Sequence, residues 1–241
     1  MKPEAYSLMK ELEDLHWWYR ARRDIVCSLV AKYVPRGAQI VDYGGGSGGT
    51  ARRLRDLGFD VQVAEVAAEA LSACIECGLS VINLAEETLP LKGADCILAC
   101  DVLEHVEDEV ALIKQFKAAL RPGGILIATV PAFEFLWSGE DFVSSHWRRH
   151  TQRSILRNIS EGGFTNLWSS YFNTLLSPIV TANILFTRLF RPHEMYRSNI
   201  RRLPGWQNQL LYRLFSLENH LLRSIRLPVG TSIAVVAKCA Q

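Results

Sequence analysis

The stretch that decides the fold is Ile40-Val41-Asp42-Tyr43-Gly44-Gly45-Gly46-Ser47-Gly48-Gly49-Thr50. Its apolar start predicts a short buried strand. Its glycines predict a tight turn, because a residue without a Cβ adopts backbone angles that other residues avoid. A helix is predicted to follow over residues 50–57. The free N–H groups and positive dipole at the start of a helix favour an anionic ligand, so the stretch predicts a nucleotide-type cofactor site.

Strand and helix patterns alternate on both sides of the glycine turn. Strands are predicted at residues 39–43, 61–64, 80–83, 95–100, 125–130, 164–171 and 231–238, with helices between most of them. The strand at 95–100 is nearly all apolar, which is typical of a strand covered on both faces. Strands that alternate with helices predict a parallel sheet with right-handed crossovers.

The length of 241 residues predicts a single domain over 1–241. We expect four parts in it: a helical cap over 1–37, a core over 38–171, a helical insertion or lid over 172–228, and the last strand over 229–241. The insertion is much longer than an ordinary connection between strands. Its segment 171–190 is interrupted by polar residues and a proline, so it is not predicted to span a bilayer, although it could lie on one.

The charges are distributed unevenly along the chain, although the net charge is only +2. Residues 1–141 hold 14 Lys/Arg and 22 Asp/Glu, a net of −8, whereas residues 142–241 hold 13 Lys/Arg and 3 Asp/Glu, a net of +10. A basic C-terminal part suggests an anionic substrate, an acidic membrane surface or nucleic acid as partner. The alternative is a solvated basic face that only balances an acidic half.

The start of the chain is charged and shows no apolar signal segment, so we expect a cytoplasmic protein that could be membrane-peripheral. Its six cysteines are then expected to be free thiols. The pair Cys74 and Cys77 lies in a helical pattern and has no second pair at zinc spacing. No metal site is therefore predicted.

The glycine turn alone leaves two cofactors open. Residues 44–49 fit the G-x-G-x-x-G pattern of dinucleotide sites, whereas residues 42–48 fit the D-x-G-x-G-x-G pattern of S-adenosylmethionine sites. Glu65, at the end of the second strand, would accept hydrogen bonds from ribose hydroxyls in either case.

Three further motifs follow in order: Glu86-Glu87-Thr88-Leu89-Pro90, Cys100-Asp101-Val102-Leu103-Glu104-His105-Val106 and Leu120-Arg121-Pro122-Gly123-Gly124. With the glycine turn, they make residues 40–170 resemble the class I S-adenosylmethionine-dependent methyltransferases. The resemblance implies a Rossmann-like, doubly wound α/β fold with a mostly parallel seven-stranded sheet and an antiparallel last strand. It implies S-adenosyl-L-methionine as cofactor and S-adenosyl-L-homocysteine as product.

The resemblance also assigns cofactor contacts by position. The methionine and ribose side would be held by Asp42, Gly44, Gly46 and Gly48, the ribose hydroxyls by Glu65, the adenine by Ala85 and Glu86, and the methionine amino group by Asp101. Many relatives carry an aspartate at the position of Ala85, so the adenine contact departs from the family pattern here.

A narrower resemblance, to a bacterial type 11/12 methyltransferase subgroup, covers residues 16–23, 131–138, 146–151 and 171–176. Most members of that subgroup have no assigned substrate, and relatives usually carry tyrosine where this chain has His150. From these segments we predict substrate contacts at His16, Trp17, Tyr19, Arg22, Trp137, Arg148, Arg149, Tyr171 and Asn173.

Methyl transfer from a sulfonium is an in-line displacement, for which a protein supplies alignment and desolvation. An oxygen or nitrogen nucleophile can need a base, whereas a carbon nucleophile needs a carboxylate or an aromatic surface near the developing cation. The candidate catalytic groups lie after the fifth strand and are Glu140, Asp141, His146 and His150. His146 and His150 could instead be structural or contact a phosphate. His105, at the entry to a helix, is interpreted as structural.

The insertion mixes apolar and arginine side chains, which predicts a small anionic, lipid-like substrate such as an isoprenoid phosphate. The alternatives are a polar natural product or a quinone-type molecule. Two alternatives belong to other functional classes: an enzyme that modifies protein or nucleic acid, and a non-catalytic module that only binds the cofactor. No nucleic-acid-binding motif occurs in the basic part, which argues against nucleic acid. The oligomeric state is left open.

Overall fold

The computed structural model describes residues 10–90 and 93–240. Its sheet contains β1 (Gln39–Tyr43), β2 (Asp60–Glu65), β3 (Ser80–Asn83), β4 (Ala94–Cys100), β5 (Leu120–Pro131), β6 (Phe164–Phe172) and β7 (Ser232–Cys239). The strand order is β3-β2-β1-β4-β5-β7-β6. Neighbouring strands from β3 to β5 run parallel, and β7 is antiparallel to both β5 and β6. The predicted doubly wound fold with an antiparallel last strand is confirmed.

Helices cover both faces of the sheet. They are α1 (Trp17–Tyr33), α2 (Gly49–Asp56), α3 (Ala68–Glu76), α4 (Glu109–Ala119), α5 (Gly139–Val143), α6 (Gln152–Glu161), α7 (Ser177–Phe190) and α8 (Gly205–Leu221). Strand β4 shows why both faces need cover, since Cys96 and Leu98 join one buried cluster and Ile97 and Ala99 join the other. All four side chains are fully buried, as the continuous apolar run predicts.

The chain after β4 differs from the continuous helix that the apolar spacing of residues 102–120 predicts. Asp101 has a positive φ of 57°, and a short 3-10 turn occupies Leu103–His105. Helix α4 begins only at Glu109, because the side chain of Asp108 accepts the N–H of Ala111 and caps it. The irregular backbone of residues 101–108 places polar side chains at the end of β4.

The fifth strand also differs from its predicted bounds of 125–130, since β5 already begins at Leu120. Its pairing with β4 shifts register between Ala94 and Cys96, so that the intervening residues of β5 bulge out of the ladder. Gly123, with φ of 77°, permits this local path.

The segment between β6 and β7 folds over α1. Pro178 lies in the first turn of α7 rather than breaking a helix, because proline needs no N–H donor there. Residues of α1 and α8 are linked by a hydrogen bond from Tyr212 Oη to Asp24 (2.7 Å). The rings of Trp18 and Phe215 stack with centroids 5.5 Å apart. In the part of the chain that the structure describes, no helix has the length and apolar character needed to cross a bilayer.

Candidate cofactor and substrate site

A cavity of about 1050 Å³ lies at the carboxyl ends of the parallel strands. Its floor includes Asp42 from β1, Glu65 from β2 and Cys100 from β4, and its walls include residues of α1 and α7. The carboxyl ends of parallel strands are where sheets of this kind place ligands. The volume exceeds that of a single drug-sized ligand, so the cavity has room for a cofactor and a second molecule.

The glycine turn forms one wall and holds Glu65. Gly44 has φ of 66°, and a Cβ on it would lie 2.7 Å from Val102 Cγ2, so a side chain there would be both strained and crowded. The N–H of Gly46 donates to Glu65 Oε2 at 3.2 Å, and the N–H of Val66 donates to Glu65 Oε1 at 2.7 Å. The buried carboxylate of Glu65 is thereby fixed at the cavity wall.

Gly48 is placed differently from Gly44 and Gly46. It caps α2 in a left-handed conformation, and a Cβ on it would meet the side chains of Leu79 and Cys74. It does not line the cavity, so its contribution is to let the turn pack closely against Cys74 of α3 and Leu79, which precedes β3.

Asp42 points into the cavity as a buried carboxyl. It is 2% exposed, and its Oδ2 has no hydrogen-bond partner in the described residues. The pKa of Asp42 is raised to about 7, chiefly by burial, with Glu13 and Glu65 acting in the same direction and Arg22 opposing them. A buried polar atom without a partner at a cavity wall marks a place where a ligand can bind.

Asp101 lies at the mouth of β4 and is held from two sides. Thr129 Oγ1 donates to its Oδ1 at 2.9 Å, and the guanidinium of Arg22 pairs with its Oδ2. Arg22, predicted as a substrate contact, therefore reaches from α1 to a residue that is predicted to contact the cofactor. Burial alone would lower the pKa of Arg22, but Asp101 raises it above its ordinary value.

Glu13 is a site residue that the sequence analysis does not identify. Its carboxylate accepts the hydroxyl of Ser47 at 2.5 Å and the N–H of Gly49 at 2.9 Å, at the start of α2. It lines the cavity and occupies the position that a helix N-terminus makes favourable for an anion. Its place in a charged helical pattern carries no signal of this role.

Ala85 and Glu86 lie outside the cavity lining, in the turn after β3. Their neighbour Leu84 lines the cavity instead. The N–H of Ala85 donates to Asn83 Oδ1 at 3.1 Å, which holds it in the turn. The structure thus places an apolar side chain, and not the two predicted residues, at this edge of the cavity.

The loop after β5 is built around the buried carboxylate of Asp141. It accepts the N–H of Ser138 at 2.7 Å and two N–H groups of the Arg149 guanidinium, from Nε and Nη2, at 2.8 Å each. His146 Nδ1 lies 2.8 Å from its Oδ1. Burial would raise the pKa of Asp141, but the hydrogen bonds of His146 and Arg149 outweigh it and hold the pKa well below its usual range. Asp141 positions its neighbours and does not line the cavity, whereas Glu140, His146 and Arg149 do.

Two predicted residues at the end of this loop, Arg148 and His150, do not line the cavity. Arg148 donates to Glu109 Oε1 and to the carbonyl of Glu107, both at 2.7 Å. His150 is buried, with its Nε2 3.5 Å from Glu109 Oε2, and its pKa is lowered by burial. In this arrangement the two side chains tie the loop to α4, and neither one is placed to act as a base or to contact a substrate.

The remaining predicted substrate contacts divide into two groups. His16, Trp17, Tyr19 and Asn173 line the cavity, whereas Trp137 and Tyr171 do not. Tyr171 accepts the N–H of Gln152 at 3.1 Å and stacks on Phe133 at 5.2 Å, so its ring and hydroxyl are used in packing. Trp137 packs edge-on against Phe142.

His16 lines the cavity as the N-terminal cap of α1. Its Nδ1 accepts the N–H of Trp18 at 3.3 Å. Burial lowers the pKa of His16 to about 4, so the imidazole is neutral at neutral pH. The pKa of His105, another lining residue, is also lowered to about 4, mainly by burial and in part by nearby His146.

A family model described as a methyltransferase domain matches residues 16–171, which contain the glycine turn, Glu65 and Asp101. The chain belongs to the class I S-adenosylmethionine-dependent methyltransferases. The narrower resemblance to the type 11/12 subgroup stays a prediction.

Curated relatives of this methyltransferase are matched over part of their length. The ubiquinone biosynthesis O-methyltransferase of Methylocella silvestris is 31% identical over 145 residues, which cover 49% of this chain and 55% of that protein. This chain spans about half the length of the curated relatives it matches.

Solved structures support the fold. An S-adenosylmethionine-dependent methyltransferase from Archaeoglobus fulgidus superposes with a TM-score of 0.55 at 15% identity, covering 95% of this chain and 98% of that one. Phosphoethanolamine N-methyltransferase 2 of Haemonchus contortus, solved with S-adenosylmethionine, gives a TM-score of 0.57 at 16% identity, covering 90% of this chain and 52% of that one.

The side chains at the glycine turn fit the family's cofactor. The fixed carboxylate of Glu65 can accept from two ribose hydroxyls, and the unpartnered Oδ2 of Asp42 can accept from another donor. Asp101 adds a carboxylate at the end of β4 that suits a cationic amino group. When bound, S-adenosylmethionine supplies an activated methyl group on a sulfonium.

Proposed function

We propose that this protein transfers the methyl group of S-adenosylmethionine to a small, partly apolar and anionic molecule, such as an isoprenoid or lipid-linked phosphate. The observation that carries the proposal is the continuity of the cavity. The same space is lined by Asp42 and Glu65 of the sheet and by Arg197 and Arg201 of the insertion.

The insertion lines the cavity with the two chemistries that such a substrate needs. Ile179, Ile184 and Phe186 are apolar, and Arg197 and Arg201 are cationic. Neither arginine forms an ion pair with a carboxylate in the residues that the structure describes. Unpaired guanidinium groups in a cavity can bind a phosphate or carboxylate by forked hydrogen bonds.

The experiment combines the protein and S-adenosylmethionine with a panel of prenyl phosphates and the matching prenyl alcohols. We expect methylated product, or binding, with the phosphates and at least about tenfold weaker binding of the alcohols, since the alcohols lack the anionic head. A panel that shows neither methylation nor binding of any phosphate would contradict the substrate proposal.

Variants locate the anionic head. The double variant Arg197→Ala with Arg201→Ala should raise KM for the phosphate by at least about tenfold, with a smaller change in kcat. The reason is that these groups bind the anionic head of the substrate and do not contact the reacting atoms. Arg223→Ala removes an exposed arginine outside the cavity and serves as the matched control.

A quinone-type hydroxyl substrate is the second candidate. It is favoured by the relatives, since the name of the matched Methylocella silvestris protein is ubiquinone biosynthesis O-methyltransferase. His146 lines the cavity with its Nδ1 held by Asp141, so its other ring nitrogen could accept the proton of a hydroxyl. A ring-hydroxyl substrate that is methylated while every prenyl phosphate fails would favour this candidate.

We also propose that the insertion meets an anionic bilayer. Outside the cavity it exposes large apolar side chains, among which Leu189 is 72% and Phe190 69% exposed, close to Arg188 and Arg191. Apolar side chains flanked by arginines are typical of surfaces that lie on anionic lipid. This contact would bring a lipid-like substrate to the mouth of the cavity.

A further inference from the structure

Three side chains with metal-binding chemistry meet at the end of β4. One potential ligand atom from each of Glu104, His105 and His146 lies within 4.8 Å of the other two. All three residues line the cavity, and the irregular backbone after β4 brings the first two there. The sequence analysis predicts no metal site, because His146 is distant in sequence and the spacing of the other two resembles a helix start.

Glu104 is the strongest sign that a cation belongs here. The residue is 0% exposed, and neither carboxylate oxygen has a hydrogen-bond partner in the described part of the chain. Burying a carboxyl group with both oxygens unpartnered is costly, and a bound cation would remove that cost. Glu104 is nevertheless one of the residues that line the cavity.

His146 is held in the orientation that metal-bound histidines adopt. Its Nδ1 is 2.8 Å from Asp141 Oδ1, which leaves Nε2 as its free nitrogen. Asp141 is itself fixed by Arg149 and Ser138. A histidine whose second nitrogen binds a carboxylate is the common arrangement behind a metal ligand, because it fixes the tautomer and the ring.

We propose that Glu104, His105 and His146 bind one divalent transition-metal ion, with zinc as the best match. Two imidazoles and one carboxylate form the ligand set of catalytic zinc sites, which keep an open fourth position. The donor atoms lie within 4.8 Å of one another, and binding an ion with bonds of about 2.1 Å would draw them to roughly 3.4 Å apart. Magnesium and calcium prefer oxygen ligands and suit this set less well.

The use of the metal rests on the proposed methyl transfer, although metal binding itself does not. Because all three residues line the cavity, an ion held by them could also bind a substrate hydroxyl, which would then lose its proton to solvent water more readily. Its oxygen would then form the new C–O bond as the sulfur–methyl bond breaks, leaving a neutral thioether. In this role His146 is a ligand and not the base.

The test is calorimetric titration of chelator-treated, full-length protein with zinc and, in parallel, with cobalt, whose visible spectrum reports its ligands. We expect one ion per chain, and a tetrahedral or five-coordinate cobalt spectrum. Glu104→Gln and His146→Gln should each weaken binding by at least about tenfold, and the positioning variant Asp141→Asn by about 10- to 100-fold. His220→Gln, which removes an exposed histidine outside the cavity, should bind as the parent protein does.

Thermal unfolding of each variant checks that it folds, and the outcomes separate this inference from the proposed function. A wild-type protein that binds no ion, or a Glu104→Gln variant that folds and binds as tightly as the parent, overturns the metal site. S-adenosylmethionine binding and methyl transfer are measured separately without metal. If both are retained, the role of the metal in transfer is overturned and the proposed function stands. If both are lost even with metal bound, the proposed function is overturned and the metal site stands.

Discussion

Asp42 shows at the residue scale how a family motif and its environment act together. The motif assigns it to the cofactor, and the structure adds that it is buried, with an oxygen that has no partner among the described residues. Its pKa is raised to about 7 by burial, so in the cofactor-free protein it is mainly protonated at mildly acidic pH. Ionising it there costs free energy, which a cationic ligand would offset.

Asp42→Asn should therefore change how stability depends on pH. Because the folded-state pKa lies above the unfolded value near 4, Asp42 favours the folded state at low pH, and this contribution is lost as pH rises toward 7. Between pH 4.5 and 7.5 the free energy of unfolding of the wild type, relative to that of Asp42→Asn, should fall by about 3 kcal/mol. Urea unfolding of the cofactor-free proteins at the two pH values measures it. A difference that stays constant, or that grows with pH, would show that the carboxyl is not protonated in the folded protein.

The loop after β5 shows which residue roles a sequence can suggest. Four candidate catalytic groups were predicted there from residue type, and the structure brings Glu140 and His146 to the cavity but turns Asp141 and His150 inward. Residue type cannot distinguish a catalytic base from a structural residue. An aspartate that is buried and holds a histidine and an arginine looks the same in the sequence as an aspartate that acts as a base. Glu104 was missed for the opposite reason, since a glutamate near a helix start is ordinarily a solvated residue.

At the scale of elements, α7 takes part in both proposed functions of the insertion, substrate binding in the cavity and contact with an anionic bilayer. Ile179 and Phe186 line the cavity and are also partly exposed, and Leu189 and Phe190 near the end of the helix are largely exposed. The helix was expected from its apolar and arginine content, with Pro178 as a break. Pro178 instead lies in the first turn of the helix. Apolar periodicity alone cannot tell whether a proline begins a helix or interrupts one.

Replacing the exposed end of α7 tests the membrane proposal. The double variant Leu189→Ser with Phe190→Ser should bind vesicles of anionic phospholipid at least about tenfold more weakly than the wild type, because two large side chains no longer enter the lipid. Co-sedimentation with vesicles measures this. Ile75→Ser, which removes an exposed apolar residue of α3, is the matched control. Equal binding by the double variant and the wild type, or no wild-type binding to anionic vesicles, would contradict a membrane-docking role for α7.

At the scale of the whole molecule, the sheet type and the cofactor class follow from ordered motifs, whereas the shape of the cavity does not. The glycine turn, Glu65 and Asp101 were predicted to lie together, because the carboxyl ends of parallel strands share one edge of the sheet. The wall formed by the insertion depends on how about fifty inserted residues fold over α1, and sequence patterns do not determine this. That wall carries the arginines on which the substrate proposal depends.

The measurement that tests the central claim most directly is calorimetric binding of S-adenosylmethionine, S-adenosylhomocysteine and NADH to the wild type and to Glu65→Ala. The account predicts that both sulfur cofactors bind to one site per chain, that NADH does not, and that Glu65→Ala weakens both by at least about tenfold, because the ribose hydroxyls lose their charged acceptor. Leu57→Ala, at an exposed position after α2, should leave both affinities unchanged. Binding of NADH in preference to S-adenosylmethionine, or equal affinities in the wild type and Glu65→Ala, would contradict the account.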